Sequence, residues 1–297
     1  MRALVISGGG SKGAYAGGIA EYLIREQGRK YDIFAGTSTG SLLVPLLAAG
    51  EIDRIKQMYC NVRQGDIFSV CPFTFKKVDG RYKTRFNHLG ILRQFILGRK
   101  TFGESRNLRK LIRQTLTPEI FARLKSDPAY VIVTVANLSR DIVEYKYLRD
   151  YDYDAFCDWI WVSANLVPFM SLVTKHGDEY ADGGFGNPVP IQEAINLGAR
   201  EIDVIKLIPR HRPARNVPSR NAFNLLMKGF NFMLHQLAQD DVSMSLLESR
   251  YTDIKINLIH TERILTDNSV IFDPEQMRSW WQEGWEYAER QFGEDGA

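Results

Sequence analysis

Gly36-Thr37-Ser38-Thr39-Gly40 stands between an apolar run at 31–35 and a Leu- and Ala-rich stretch at 41–49 that Gly50 ends. The run before it has the length and composition of a buried strand, and the stretch after it reads as a helix, so the five residues form a strand-to-helix turn. The same order occurs just upstream. Ala3–Ser7 is a short apolar run, Gly8-Gly9-Gly10-Ser11-Lys12-Gly13 follows, and Ala14–Gln27 places Tyr15, Ile19, Tyr22 and Leu23 at helical spacing. A βαβα opening predicts a parallel sheet covered by helices. Pro45 inside the second helix removes a hydrogen bond and predicts a kink.

The alternation continues along the chain. Tyr130–Ala136 (YVIVTVA) is β-branched and almost wholly apolar, which predicts a strand at the sheet centre. Further strands are expected at 142–147, just before Asp182, at 202–207 and at 253–259. Helices are expected at 86–97, 104–117, 153–163, 190–198, 221–249 and 274–292. Residues 61–85 lack periodicity and read as a long loop or lid. No repeat or linker interrupts the pattern, so the expected fold is one α/β domain over 1–297. It is a three-layer α/β/α arrangement with a mainly parallel central sheet and a basic, lid-like or helical insertion at about 61–125.

Chemistry concentrates at the two glycine-rich turns. In G-x-S-x-G, Gly36 and Gly40 remove side chains that would collide in a tight turn, which leaves the Ser38 hydroxyl clear of the backbone as a nucleophile. The following helix directs its N-terminal dipole at negative charge developing there. A Ser/Thr/Gly turn that merely caps a helix is the plain alternative. The loop Gly8, Gly9, Gly10, Ser11, Lys12, Gly13 lets backbone N–H groups converge on an anion. It also satisfies G-x-G-x-x-G, the dinucleotide fingerprint, for which Asp32 has roughly the required spacing but stands at the wrong end of its strand. A Walker A loop is excluded, because G-x-x-x-x-G-K-[ST] does not occur. Both turns open at the C-terminal edge of a parallel sheet, where an oxyanion hole beside a nucleophile explains them together.

Such a serine needs a base. The five histidines (His88, His176, His211, His235, His260) stand in no local motif. Asp182, in Tyr180-Ala-Asp-Gly-Gly184, is placed at an expected strand end before two glycines, although Asp-Gly is also a common plain turn. Together GGGSKG, GTSTG and DGG, in this order and near these separations, resemble the patatin-like phospholipase family. Ser163–Phe169 (SANLVPF) is similar to the family's segment before its catalytic aspartate, and Pro188–Glu201 looks like the helix after it. The resemblance implies a lipid acyl hydrolase with a Ser-Asp dyad, Ser38 as nucleophile, Asp182 as proton acceptor, and an oxyanion hole from the amides of the glycine loop. Gly183 and Gly184 would support the Asp182 loop. Ser7 departs from the family's frequent acid before the triple glycine. The expected hydrolase works without metal or organic cofactor. A triad with His211 or His235 is a mechanistic variant, and a non-catalytic lipid or nucleotide sensor built on the same loop is the rival function.

Composition narrows the partners. The 38 basic and 35 acidic residues give a net charge of +3, too even to argue for nucleic acid. Residues 54–125 nevertheless hold 17 Lys or Arg against 4 Asp or Glu, a local balance of +13. Phe68, Phe73 and Phe75 adjoin Lys76, Lys77, Arg81, Lys83 and Arg85 there, which predicts contact with an anionic phospholipid surface; a core-packed loop with solvated cations is the alternative. Met277, Trp281, Trp285, Ala288 and Phe292 make a stripe expected to pack on the core. Three cysteines without C-x-x-C spacing predict neither a disulfide framework nor a zinc site. The opening apolar run is too short for a signal peptide, and no stretch is long enough to span a bilayer. The expectation is a soluble cytoplasmic protein, peripheral at membranes when it meets phospholipid.

Overall fold

The computed structural model describes residues 1–78, 81–210, 218–219, 222–266 and 268–293, with the backbone alone for 77, 78, 81, 83 and 222–224. His211 and the side chains of Lys77, Arg81 and Lys83 therefore lie outside the described residues. In chain order the strands are β1 (Arg2–Ile6), β2 (Ile33–Thr37), β3 (Phe73–Val78), β4 (Arg81–Phe86), β5 (Tyr130–Asn137), β6 (Ile142–Tyr147), β7 (Val173–Lys175), β8 (Asp178–Asp182), β9 (Glu201–Pro209) and β10 (Lys255–Thr261). The helices are α1 (Gly13–Arg25), α2 (Thr39–Ala48), α3 (Ile52–Asn61), α4 (Gln64–Ile67), α5 (His88–Ile96), α6 (Arg106–Thr115), α7 (Pro118–Ser126), α8 (Tyr153–Ser163), α9 (Ile191–Asn196), α10 (Ala222–Tyr251) and α11 (Pro274–Phe292).

Eight strands form one sheet in the order β10-β9-β1-β2-β5-β8-β7, with β6 on the other side of β5. The run from β10 to β5 is parallel, whereas β6 and β8 meet β5 antiparallel. Alternation along the central strands divides the core into two layers. Leu4, Ile6, Val131, Val133 and Val135 face α1, α2, α8 and α11. Ala3, Val5, Ile33, Ile132 and Val204 face α9 and the second half of α10. This is the three-layer α/β/α architecture that the alternating pattern predicts. Helix α2 runs from Thr39 to Ala48 with Pro45 inside it.

The stretch 61–85 is not the irregular loop expected of it. Phe73–Val78 and Arg81–Phe86 form the antiparallel β3–β4 ribbon, paired from Phe73 opposite Phe86 to Val78 opposite Arg81. Phe68 and Phe73 are buried in the main core, and Phe75 and Phe86 pack on it, so the expected membrane contact through Phe68, Phe73 and Phe75 is corrected. The alternation of a two-stranded ribbon is short, and its apolar residues meet distant partners such as Phe169, at 5.5 Å from the Phe73 ring. Helix α7, begun by Thr117 and Pro118, was also not anticipated.

The C-terminal stripe packs as expected, with Met277, Trp281 and Ala288 buried and Trp285 edge-on to Tyr22. Helix α11 lies against α1 at backbone distance. A Cβ on Gly18 would stand 1.9 Å from the Trp281 carbonyl oxygen, and one on Gly284 2.1 Å from that of Tyr15. Overpacking so close a crossing is destabilising because backbone cannot yield as a side chain can. Gly18→Ala is therefore expected to cost about 3 kcal/mol in chemical denaturation. An unchanged midpoint would refute this account of the crossing.

Candidate active site

One edge of β5 is shared by two strands. Strand β2 pairs with Tyr130–Thr134, ending at Thr37 opposite Thr134, and β8 takes over at Val135, which lies opposite Asp182. Strand β6 spans both regions on the other edge of β5. Strands β2 and β8 therefore meet end to end, running in opposite directions, and the residues at the junction are Ser38 and Asp182. The Ser38 hydroxyl stands beside the buried Asp182 carboxylate and favours its ionised form.

Ser38 occupies the turn with φ 57° and ψ −118°, a conformation costly for a residue with a Cβ. Neighbouring backbone lies too close to tolerate side chains on the flanking glycines. A Cβ on Gly36 would be 2.4 Å from the Gly40 carbonyl carbon, and one on Gly40 2.1 Å from the Ile6 carbonyl oxygen. The turn is held by a hydroxyl that no local motif singles out. Ser163, at the end of α8, accepts the Ser38 N–H at 3.0 Å and donates to the Thr134 carbonyl at 2.6 Å, and its Oγ lies 2.6 Å from Ser41 Oγ. It thus fills the gap left where β5 exchanges one partner for the other.

Asp182 is fixed by its own loop. Its Oδ1 accepts the Gly184 N–H at 2.8 Å, and its backbone N–H donates to the Asn165 carbonyl at 3.0 Å. Gly183 lies against Thr134, where a Cβ would come within 2.3 Å of the carbonyl oxygen. Burial raises the Asp182 pKa to about 6, opposed by the hydrogen bonds from Ser38 and Gly184. A carboxylate so placed still ionises near neutrality and is a stronger base than an ordinary aspartate.

The glycine loop divides into parts with different tasks. The Gly8 N–H donates to the Pro188 carbonyl and that of Ser11 to Ser269, while the Lys12 N–H turns back to Gly9 and that of Gly13 to Gly10 and Ser11. Among the described residues, the amides of Gly9 and Gly10 donate no hydrogen bond. Gly8 faces the serine, since a Cβ there would lie 3.2 Å from Ser38 Cβ. Ser7 Oγ accepts the Leu207 N–H and Lys12 Nζ donates to the Leu207 carbonyl, so both side chains tie the loop to β9. The departure at Ser7 thus falls at a bracing position.

Gly9, Gly10, Lys12, Ser38 and Asp182 border a cavity of about 190 Å3 whose other walls are mostly apolar, including Leu42, Met58, Leu108 and Met170. Helix α10 contributes Asn231, Leu234 and His235. Asp241, further along α10, accepts the Val189 N–H at 3.1 Å and so fixes the helix to the segment after Asp182. His235 lines the cavity, whereas the carboxylate's bonds come from Ser38 and Gly184. The dinucleotide reading loses its ribose ligand. Asp32 precedes β2, at the strand end opposite Ser38, and accepts the Arg2 N–H at 2.7 Å.

Residues 4–195 match the model of the patatin-like phospholipase family. The chain belongs to that family. Relatives are distant. The uncharacterized protein YjjU of Escherichia coli (strain K12) is 27% identical over 216 residues, 70% of this chain and 52% of that protein, so the chain spans about half the length of this relative. VipD from Legionella pneumophila has a similar fold, with a TM-score of 0.55 over 99% of this chain and 67% of VipD at 15% identity. In this patatin-like chain, the SANLVPF segment braces both members of the pair, Ser163 holding the Ser38 turn and Asn165 the Asp182 strand.

Two stability effects follow. Ser38→Gly relieves the strained φ that Ser38→Ala retains, so the glycine variant should be more stable than the alanine variant by about 1–2 kcal/mol in urea unfolding. Equal midpoints would show that the turn is unstrained. Ser163→Ala strands the Ser38 amide and the Thr134 carbonyl, and a loss of about 2 kcal/mol is expected in the same measurement. A loss within error would remove Ser163 from the support of the turn.

Proposed function

We propose that the protein is a serine hydrolase of lipid acyl esters, of phospholipase A or lysophospholipase type, in which Ser38 is the nucleophile and Asp182 its base. The observation that carries the reading is a serine on a strained strand-to-helix turn beside a buried carboxylate, both lining one largely apolar cavity. Ser38 Oγ attacks the ester carbonyl carbon as its proton passes to Asp182. The carbonyl oxygen takes up the negative charge and meets the amides of Gly9 and Gly10 with the N-terminal end of α2 nearby. Collapse breaks the bond to the alcohol, which leaves with the proton from Asp182. A water molecule, deprotonated by the same carboxylate, then attacks the acyl-enzyme and releases the fatty acid and free Ser38.

The apolar walls suit an acyl chain, and they explain why base and substrate share one desolvated space. Burial that strengthens the base also favours the uncharged acyl-ester part of the substrate. In this reading the chain is one catalytic unit over 1–297 that works without metal or organic cofactor. It meets its phospholipid at an anionic membrane surface and has no nucleic-acid partner. Three unpaired cysteines suit a reducing, cytoplasmic setting.

Hydrolysis of a short-chain p-nitrophenyl ester by wild type, Ser38→Ala and Asp182→Asn, all checked for folding, tests the pair. Ser38→Ala should fall to background and Asp182→Asn by about 10²–10⁴-fold. Equal activity in all three would place the chemistry elsewhere, and silence in all three would favour a pocket that binds lipid without turnover. The base must be ionised to act, so kcat/KM should decline as pH falls through about 6. An acidic limb near pH 4, where an ordinary aspartate titrates, would contradict the role of burial.

A further inference from the structure

Helix α10 is apolar on two faces. Residues 222–238 contain one cation, Lys228, and no acid. The inner face sets Leu234 and Ala238 in the cavity wall. On the outer face, Leu225 and Phe232 are 63% and 62% exposed, with Leu226 and Met233 exposed beside them. A helix apolar on two faces is normally covered on both, and among the described residues nothing covers the outer one. Helix α5 repeats the feature. Leu89, Leu92 and Ile96 follow at i, i+3 and i+7 on one stripe, with Leu89 82% and Ile96 76% exposed, and Arg93 lies among them at i+4.

The two helices flank one aromatic cluster. Phe95 of α5 packs on Phe102 at 5.9 Å between ring centroids, Phe102 on Phe169 at 6.0 Å, and Phe169 on Phe230 of α10 at 5.9 Å. Charge decides what covers the bare faces. Residues 81–103 carry six Lys or Arg and no acid, and exposed Arg85, Arg93 and Arg99 form no ion pair among the described residues. A second copy docked here about a two-fold axis would oppose these cations to one another, whereas acidic headgroups neutralise them and acyl chains accept the leucines and phenylalanines.

We propose that the outer faces of α5 and of the first half of α10 form a docking surface for an anionic lipid bilayer. The surface seats the α10 wall of the cavity on the leaflet, so that a lipid passes from membrane to Ser38 beside a helix apolar on both sides. Only this last step rests on the lipid-ester reading; docking itself does not. Cations at the rim hold the headgroups while the apolar stripes enter the interface.

Co-sedimentation of the full chain with vesicles of phosphatidylcholine alone or mixed with phosphatidylglycerol tests the surface without any turnover, using the Ser38→Ala protein. Binding should be about tenfold stronger to the mixed vesicles and weaken in high salt. Leu89→Ser/Ile96→Ser, Leu225→Ser/Phe232→Ser and Arg93→Glu/Arg99→Glu should each lose about tenfold. Met244→Ser/Leu247→Ser, which alters exposed apolar residues on the far half of α10, should bind as the parent does. No binding to mixed vesicles, no effect of the three variants, or a dimer that those variants disperse in light scattering would each overturn the proposal. Vesicle binding by the Ser38→Ala protein, together with no ester hydrolysis by the wild type, would uphold the surface and count against the hydrolase reading alone.

Discussion

The molecule depends on the sharing of one edge of β5. Strand β2 stops at Thr37 opposite Thr134, and β8 arrives from the other direction with Asp182 opposite Val135. Backbone hydrogen bonding to a common strand is rigid and periodic, so the register alone brings two side chains together that lie far apart in the chain. The exchange of partners leaves the Thr134 carbonyl at the junction, and the Ser163 hydroxyl satisfies it while holding the Ser38 amide. Polar groups buried at such a junction need partners, and meeting that need fixes the Ser38 turn.

Close packing around this junction sets its chemistry. Gly36, Gly40 and Gly183 allow backbone to pass within a distance that a Cβ would prevent, and Asp182 at this junction is shut away from bulk solvent. The same exclusion raises the carboxylate's pKa, and the serine hydroxyl is the hydrogen-bond donor that stabilises its ionised form. Within the glycine loop, four amides are committed to the Pro188 carbonyl, the Ser269 segment and the loop itself, and among the described residues two remain unspent. A loop made entirely of free amides would be floppy; this one is anchored at both ends and open in its middle.

The cavity is closed by parts of the chain outside the opening βαβα unit. Asp241 attaches α10 to the segment after Asp182, and Phe169 links the β3–β4 ribbon to Phe230 on α10. The walls are thus assembled from elements that lie far apart in the chain. Their outer surfaces are more apolar than a water-facing wall requires, a property of the cover helices and not of the β2–β8 junction.

Local sequence determined the parts whose conformations are local. Strand, turn and helix at 31–49 follow from an apolar run, G-x-S-x-G and a helical stretch, and the strained φ of Ser38 is what that turn demands. The parallel sheet follows from the alternation of such units, and Asp182 was legible because its strand and glycines make an interpretable end. What depended on distant partners was hidden. No short-range signal separates the free amides of Gly9 and Gly10 from the committed ones of Gly8 and Ser11, because the acceptors are Pro188 and Ser269. Ser163 reads as any small residue until β5 changes partners beside it. Phe73 looks like a candidate for the surface until Phe169 covers it, and Leu89 and Ile96 look like core residues until nothing does. Periodicity reports which face of an element is apolar, and only the assembled sheet decides what that face meets.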